Sequence, residues 1–566
     1  MEDTELNERK QRKVYDLLAS WKRTNAIIVN VFVFVVIAIF PLSFHNFYYD
    51  ILATKYIFYY GTVILTAISM LVAAVIFLWT DWNYYQWQHI KKLYHSLSIK
   101  SLRKCDWAMI AFVFICIIST FQSEYFYESF WGNEGRYMGL FLILLYGVSY
   151  FFISRFFVLK KWHLDVFLAA GMIACLIGIL QYFYIDPIGF KKDIIYEQYN
   201  VFASTFGNIN TYTSYVALVV GAGIAAYATE SNFASRRWYL FTIIVSLFAL
   251  ITGISDNAYL AMAAVFGLLP LYLFNNLKGI KRYLLVVAIL FTEFQVIDLV
   301  NQKFPDKVLG ISSLFDVIAG YKYLAAFVFV LWAITIALHV LDTRLDRGNK
   351  PRKNGNGGRW IWFGLIIVIV LGMCYLLYDV NIGGNADRYG SLKGYLTMSD
   401  SWGSDRGYIW RISLESFRKF PFIHKLFGFG PDTFGIVTVL SYYEEMATRY
   451  GVVFDSAHNE YLQYLVTIGI AGLVSYLFLL LSSIVRMIRI SKKNPVLIAV
   501  VFAILCYGAQ ALVNISLPIV SPIMLTLLMM GVAVGNEVED GDGTAEEKAE
   551  MLIERAEAVE ETDWKE

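Results

Sequence analysis

The sequence predicts an all-α integral membrane protein with about 14 transmembrane helices, and two observations predict it. The first is composition. Of 566 residues, 58% are hydrophobic and only 16% charged, and the mean hydropathy is +0.54. A soluble chain of this size has too little interior to hide so much apolar surface. The second is run length. Apolar stretches of about 18 to 24 residues, the length that crosses a hydrocarbon layer as helix, recur along the chain. Examples lie near 26–42, 57–78, 284–300, 323–340 and 360–377. Such runs must be helical, because lipid offers backbone polar groups no partner. Many Tyr and Trp residues stand at the run ends, as in interfacial belts.

Orientation follows from the basic residues. With the N-terminus inside, the inner segments hold about 29 Lys and Arg, and about 32 with the C-terminal tail, against about seven in the short outer loops. Both ends then fall on the cytoplasmic side. The resulting division is a basic N-terminus (1–23), a bundle of about 11 helices (24–378), a large extracytoplasmic loop (379–457), about three C-terminal transmembrane helices (458–535) and an acidic cytoplasmic tail (536–566). The long loop carries about eight Lys and Arg, which the rule tolerates in long segments. The stretch KPRKNGNGG at 350–358 reads as a flexible inner linker. The tail has apolar residues at helical spacing, either as a solvated acidic helix or as a docking site for a partner. The first apolar run is long enough to remain as a span, and no cleavable signal peptide is expected. Five cysteines without paired spacing give neither a disulfide framework nor a zinc motif. The near-zero net charge carries no sign of nucleic-acid binding.

The long loop holds the residues of most chemical interest. Ser404-Asp405 resembles a helix start, and an amphipathic segment follows to about 420. Its apolar face is Ile409, Trp410, Leu414 and Phe417, with Arg411–Glu415 and Glu415–Lys419 as i,i+4 pairs, and it is expected to lie along the membrane surface. GFGPDTF at 428–434 is a turn with Pro431 placed to open another helix, reaching about Tyr450. Then comes DSAHNEYLQ, where Asp455 or Ser456 can cap the next span and His458 falls in its first turn. A helix N-terminus disfavours imidazolium, so a neutral His458 could act as a base near pH 7. A lone interfacial histidine can equally be a polar anchor. Arg411 and Arg418 read first as surface charges that pair with Glu415 or with headgroups. Arg406 stands where the helix dipole disfavours a cation, and so calls for an anion from elsewhere.

Taken together, Arg406 to Trp410 (R-x-x-x-W), 428–434 (G-x-G-P-x-x-F), 458–463 (HNEYLQ) and Gly469 to Gly472 resemble the C-terminal signature of the O-antigen ligase and O-antigen polymerase family. FGNINTYTSY at 206–215 resembles the family's outward G-N-x-N segment, and WGNEGRYMGL at 131–140 its outward G…R-Y-x-G segment. One piece departs. Many members carry Ser-Arg at the outer end of a mid-chain span, where this chain reads GISDNAYL, with Asp256-Asn257 in the arginine's place. The resemblance implies a C-type, all-helical membrane glycosyltransferase. Members take a glycan from an isoprenyl-diphosphate carrier on the outer face of the membrane. They pass it to a hydroxyl of a lipid, another glycan or a protein, with no metal or other cofactor. By this likeness Arg406 is the diphosphate clamp and His458 the base. Arg136, Asn208, Asn210, Arg411 and Asn459 are the candidate substrate contacts, with Arg136 as the substitute for the missing arginine. The partners are the lipid-linked donor, the acceptor and membrane lipid, without nucleic acid. A transporter or flippase of lipid-linked glycan is the alternative; it would ordinarily show matched repeats, and none is evident. Glu293 and Asp298, in one span, read as interfacial or packed polar residues.

Overall fold

The computed structural model describes residues 2–96, 102–312, 314–346 and 355–536. The linker residues 350–354 and the tail from 537 onward lie outside the described residues. The first helix, α1 (Glu2–Phe34), runs on through a π-helical turn (Val35–Ile39) and a 3-10 turn (Phe40–Leu42). It is followed by α2 (Ile51–Tyr85), α3 (Gln88–Ser96), α4 (Lys104–Phe121), α5 (Phe126–Trp131), α6 (Leu140–Phe156) and α7 (Lys161–Tyr182). A short antiparallel hairpin, β1 (Phe202–Ala203) with β2 (Gly207–Asn208), leads into α8 (Ile209–Thr229). Then come α9 (Phe233–Thr252), α10 (Asn257–Leu273), α11 (Leu277–Lys303), α12 (Leu314–Ala319), α13 (Leu324–Asp346) and α14 (Gly357–Asn381). Five shorter helices follow: α15 (Lys393–Leu396), α16 (Trp402–Lys419), α17 (Phe422–Phe427), α18 (Phe434–Tyr450) and α19 (Glu460–Thr467). The chain closes with α20 (Gly469–Ile490), α21 (Val496–Gln510) and α22 (Ser521–Asn536).

Ten helices among the described residues are long and apolar enough to cross a membrane. Four more apolar helices, α6, α10, α21 and α22, are shorter. The expected count of about 14 thus stands at ten by length and composition. All five cysteines are free, and four of them are buried.

The centre of the bundle is α8. Nearly every side chain along it is buried, and its Gly221 admits the backbone of α21 so closely that a Cβ there would meet the Phe502 carbonyl at 2.4 Å. Small residues let apolar helices approach where no hydrophobic driving force separates helix from lipid. At the end of the first span, the turn that contains Pro41 leaves backbone carbonyls without helical partners. The buried ammonium of Lys55 takes two of them, Phe40 at 2.9 Å and Pro41 at 3.1 Å.

The segment between α14 and α20 has its own apolar cluster. Tyr408, Ile409 and Ile412 of α16 pack with Phe434, Val437 and Met446 of α18 and Val466 of α19. This corrects one expectation. The buried stripe of α16 runs through Tyr408, Ile409, Ile412 and Ser416, while Leu414 is exposed. That stripe faces α18 and α19. The helix start is where the sequence places it: Gly403, Ser404 and Asp405 have positive φ, and regular helix begins after them. Likewise α18 opens after Pro431 and ends at Tyr450. Arg411 tethers this unit. It pairs with Asp400 at 3.1 Å, Glu415 at 3.3 Å and Glu445 at 2.9 Å, and Arg449 adds a 2.7 Å contact to Asp400.

The expected span after His458 is broken in two. The break at Ile468–Gly469 docks on the turn after α17. A Cβ on Gly469 (φ +70°) would sit 2.3 Å from the Leu426 carbonyl, and one on Gly428 (φ +70°) 2.0 Å from the Thr467 carbonyl. Both glycines therefore satisfy a left-handed backbone and a close approach at once. Replacing Gly469 with Ala is expected to cost on the order of 1–3 kcal/mol, read as a lowered thermal-unfolding midpoint of the purified protein. An unchanged midpoint would show that the seam is not strained.

Candidate active site

Three segments far apart in sequence converge beside α19. The first is the 132–138 loop. Asp432, itself at φ +62°, is buried and accepts the backbone N–H of Asn133 at 2.8 Å and of Met138 at 3.1 Å. The Asn133 side chain returns a bond to the Asp432 carbonyl. Burial outweighs these donors and raises the Asp432 carboxyl to about 7. With its loop so held, Arg136 makes a two-pronged pair with Asp455: Nε at 3.1 Å and Nη2 at 2.5 Å from the two oxygens.

The second segment is 455–460. Its backbone is held from both sides: Trp410 Nε1 donates to the Ala457 carbonyl at 3.0 Å, Gln463 accepts the Ala457 N–H at 2.8 Å, and the Glu460 N–H donates to the Ala511 carbonyl at 2.9 Å. The helix cap differs from the expected one. Asn459 is the N-cap of α19 and accepts the Leu462 N–H at 3.0 Å. His458 therefore precedes the helix, at φ +45°, instead of standing in its first turn. Asp455 and Ser456 do not cap. His458 has no hydrogen-bond partner among the described residues. Its imidazole is pushed down to about 4, first by burial and then by the nearby cations Arg406 and Arg136, with Asp455 opposing. Burial first, and then the two nearby guanidiniums, favour its neutral form.

The third segment is the start of α16. Arg406 Nη1 donates to the Gly403 carbonyl at 2.7 Å, while its Nε is buried without a partner. Burial lowers the guanidinium's pKa and Asp256 partly restores it. Asp256 thus stands within the field of Arg406, and Tyr395 donates to it at 3.4 Å.

The remaining candidates fall into place around these. The Asn210 side-chain oxygen accepts from Ser255 at 2.7 Å and from Asn257 at 3.1 Å, which ties the start of α8 to the loop that carries Asp256. Asn208 caps α8 by accepting the Asn210 N–H at 2.8 Å. Arg411, held by three carboxylates, is a strut of the α16–α18 unit. Two features escaped the sequence reading. One is the Asp432 clamp, hinted at only by an acid inside the 428–434 turn. The other is Glu460, wholly buried and accepting from Tyr476 at 2.6 Å and Tyr507 at 2.9 Å. A small cavity of about 30 Å³ runs between Arg136, Ser456 and Glu460. Among the described residues no three His, Cys, Asp or Glu side chains gather as metal ligands.

Residues 308–477 match the family model described as O-Antigen ligase. The match contains Arg406, the 428–434 turn and His458, and it supports the resemblance to the O-antigen ligase and polymerase family. It supports a glycan-transfer role in a multi-pass membrane protein. Arg136, Asn208 and Asn210 lie outside the matched segment, and the fold alone brings Arg136 to it. Comparison with curated protein sequences gives no match.

If Arg136 depresses His458 as the geometry requires, Arg136→Gln should raise the His458 titration midpoint from about 4 toward its ordinary value near 6.5. Histidine NMR on labelled protein reads this directly. An unmoved midpoint would separate the two residues.

Proposed function

We propose that this chain, with its O-antigen ligase-type segment, is a glycosyltransferase that takes a glycan from an isoprenyl-diphosphate carrier and joins it to an acceptor hydroxyl in the synthesis of a cell-surface polysaccharide. The observation that carries the reading is the neutral, unpartnered His458 between Arg406 and Arg136. The reacting carbon of such a donor sits beside a diphosphate. Guanidiniums bind that group with paired N–H donors and stabilise the charge that builds as it leaves. A neutral imidazole beside them takes the proton of the attacking hydroxyl. The atoms balance: the acceptor oxygen bonds to the sugar, the carrier diphosphate departs with the bonding electrons, and the proton passes to His458. Arg406 has an unused buried N–H aimed at no protein group. Arg136 is held by Asp455, a carboxylate 56% exposed, and a diphosphate can displace an exposed partner at small cost. Asn459 and Asn208 keep their caps and would meet the sugar only at the edge of the site.

The reading places this site on the extracytoplasmic face of the bacterial cytoplasmic membrane, with both termini cytoplasmic, because the basic inner loops require that orientation. It needs no metal ion. Either chain lengthening or transfer to a second acceptor fits the chemistry.

Two measurements test the proposal. Purified protein given an isoprenyl-diphosphate oligosaccharide should form a new glycosidic bond, unaffected by EDTA. His458→Ala should lower that rate by about 10²–10⁴-fold, and Arg406→Ala by about 10²–10³-fold, with unfolding midpoints preserved. Lipid movement across liposomes without bond formation would instead indicate a flippase, and normal transfer by His458→Ala would remove the base.

The second measurement is the pH profile. The free enzyme carries His458 near 4, first through burial and then through the two nearby cations. A bound diphosphate neutralises those cations, so His458 should bind its proton more readily in the complex. The acidic limb of kcat should therefore lie at higher pH than that of kcat/KM, since the two report the complex and the free enzyme. Coincident limbs would place the diphosphate elsewhere.

A further inference from the structure

A second polar cavity, of about 180 Å³, opens at the end of the bundle opposite His458. The helix α8 measures the separation. It starts at the Asn208 cap beside the site loops and ends at Thr229, about 30 Å away at 1.5 Å per residue. Tyr227, near its far end, lines the cavity together with Arg236 and Arg237 of α9, Lys281 and Arg282 of α11, and His339 of α13.

The local field here is strongly positive. Both α9 and α11 begin at this cavity, and neither has an acidic residue in its first turn. Each helix N-terminus adds partial positive charge, which makes nearby arginines unfavourable unless an anion joins them. Glu230, close by, is already engaged: it accepts from Lys161 at 2.6 Å through one oxygen and from the Asn232 N–H at 2.7 Å through the other. Arg282 donates from Nη1 to the Ala228 carbonyl at 2.8 Å, while its Nε is buried without a partner. Arg236 and Arg237 lie over the Phe233 ring, 5.5 and 4.9 Å from its centroid, and make no ion pair among the described residues. Around the mouth, exposed apolar side chains continue down the outer faces of the same helices: Phe241 and Ile244 on α9, Ile336 and Val340 on α13. A cationic cup at the end of a lipid-facing apolar path fits an amphiphile with an anionic head better than a free ion.

We propose that this cavity is a binding site for the phosphate headgroup of an anionic phospholipid, with Arg236, Arg237 and Arg282 on the phosphate and the acyl chains along α9 and α13. The site is separate from the glycan-transfer site and does not depend on that reading.

The test is native mass spectrometry of the purified full-length protein with added phosphatidylglycerol, phosphatidylcholine, or inorganic phosphate as the free-anion control. Phosphatidylglycerol should be retained and should raise the unfolding midpoint, while phosphatidylcholine and inorganic phosphate should do neither. The double variant R236Q/R282Q should bind phosphatidylglycerol roughly tenfold more weakly. Its folding is checked by its midpoint without added lipid; should it not fold, the exposed single variant Arg237→Gln carries the comparison and should also weaken retention. Equal retention of both lipids, unchanged retention in the folded variants, or saturation of the site by inorganic phosphate would each overturn the proposal.

Discussion

The buried Asp432 carboxyl joins two segments 299 residues apart in sequence, and the site takes its shape from that junction. Two backbone N–H groups of the 132–138 loop end on one of its oxygens, Oδ2. A buried polar group left unsatisfied costs more than a made hydrogen bond gains, so the junction is strongly specified. Around it the seam continues: Gln122 donates to the Gly428 carbonyl at 2.9 Å, and the Gly430 N–H to the Thr467 carbonyl at 2.9 Å. The N-terminal bundle and the segment after α14 thus meet through bonds that each join a side chain to a backbone group. Arg136 reaches Asp455 only because its loop is pinned there.

What that seam assembles is an electrostatic arrangement poised for an incoming anion. Arg406 and Arg136 act on one imidazole, and burial keeps it uncharged. Asp455 and Asp256 moderate the two cations without filling them: one is an exposed partner, the other acts on Arg406 through the field. Asp256 acts on Arg406 through its field, and the second cation, Arg136, comes from the loop between α5 and α6. A pair of basic residues on opposite sides of a neutral base can hold a leaving diphosphate without first paying to desolvate a charged base.

Much of this was legible in the sequence, for identifiable reasons. Long apolar runs mark spans because lipid permits little else, and the starts of α16 and α18 follow from Ser404, Asp405 and Pro431. Arg406 and His458 stand out because each violates a local preference, one a cation at a helix start and the other a lone histidine by a turn. The parts that stayed hidden depend on partners distant in sequence. Nothing near Asn459 says that it, and not Asp455, will cap α19; Asp455 is drawn away by Arg136. Arg411 was read with Glu415 alone, whereas Asp400 and Glu445 reach it through the fold. The buried stripe of α16 packs on α18 and α19, partners that its own periodicity does not name. Asn210 reads as a ligand residue, and the bonds that its oxygen accepts from Ser255 and Asn257 come from a loop 45 and more residues away.

The central claim is that Arg406, Arg136 and His458, drawn from separate segments, serve one donor. A cryo-EM structure of the protein with a bound isoprenyl-diphosphate glycan tests this most directly. The account predicts diphosphate oxygens within hydrogen-bond distance of both Arg406 and Arg136, Asp455 released from Arg136, and the first sugar facing His458. A diphosphate bound away from Arg406, with the Arg136–Asp455 pair intact, would contradict it.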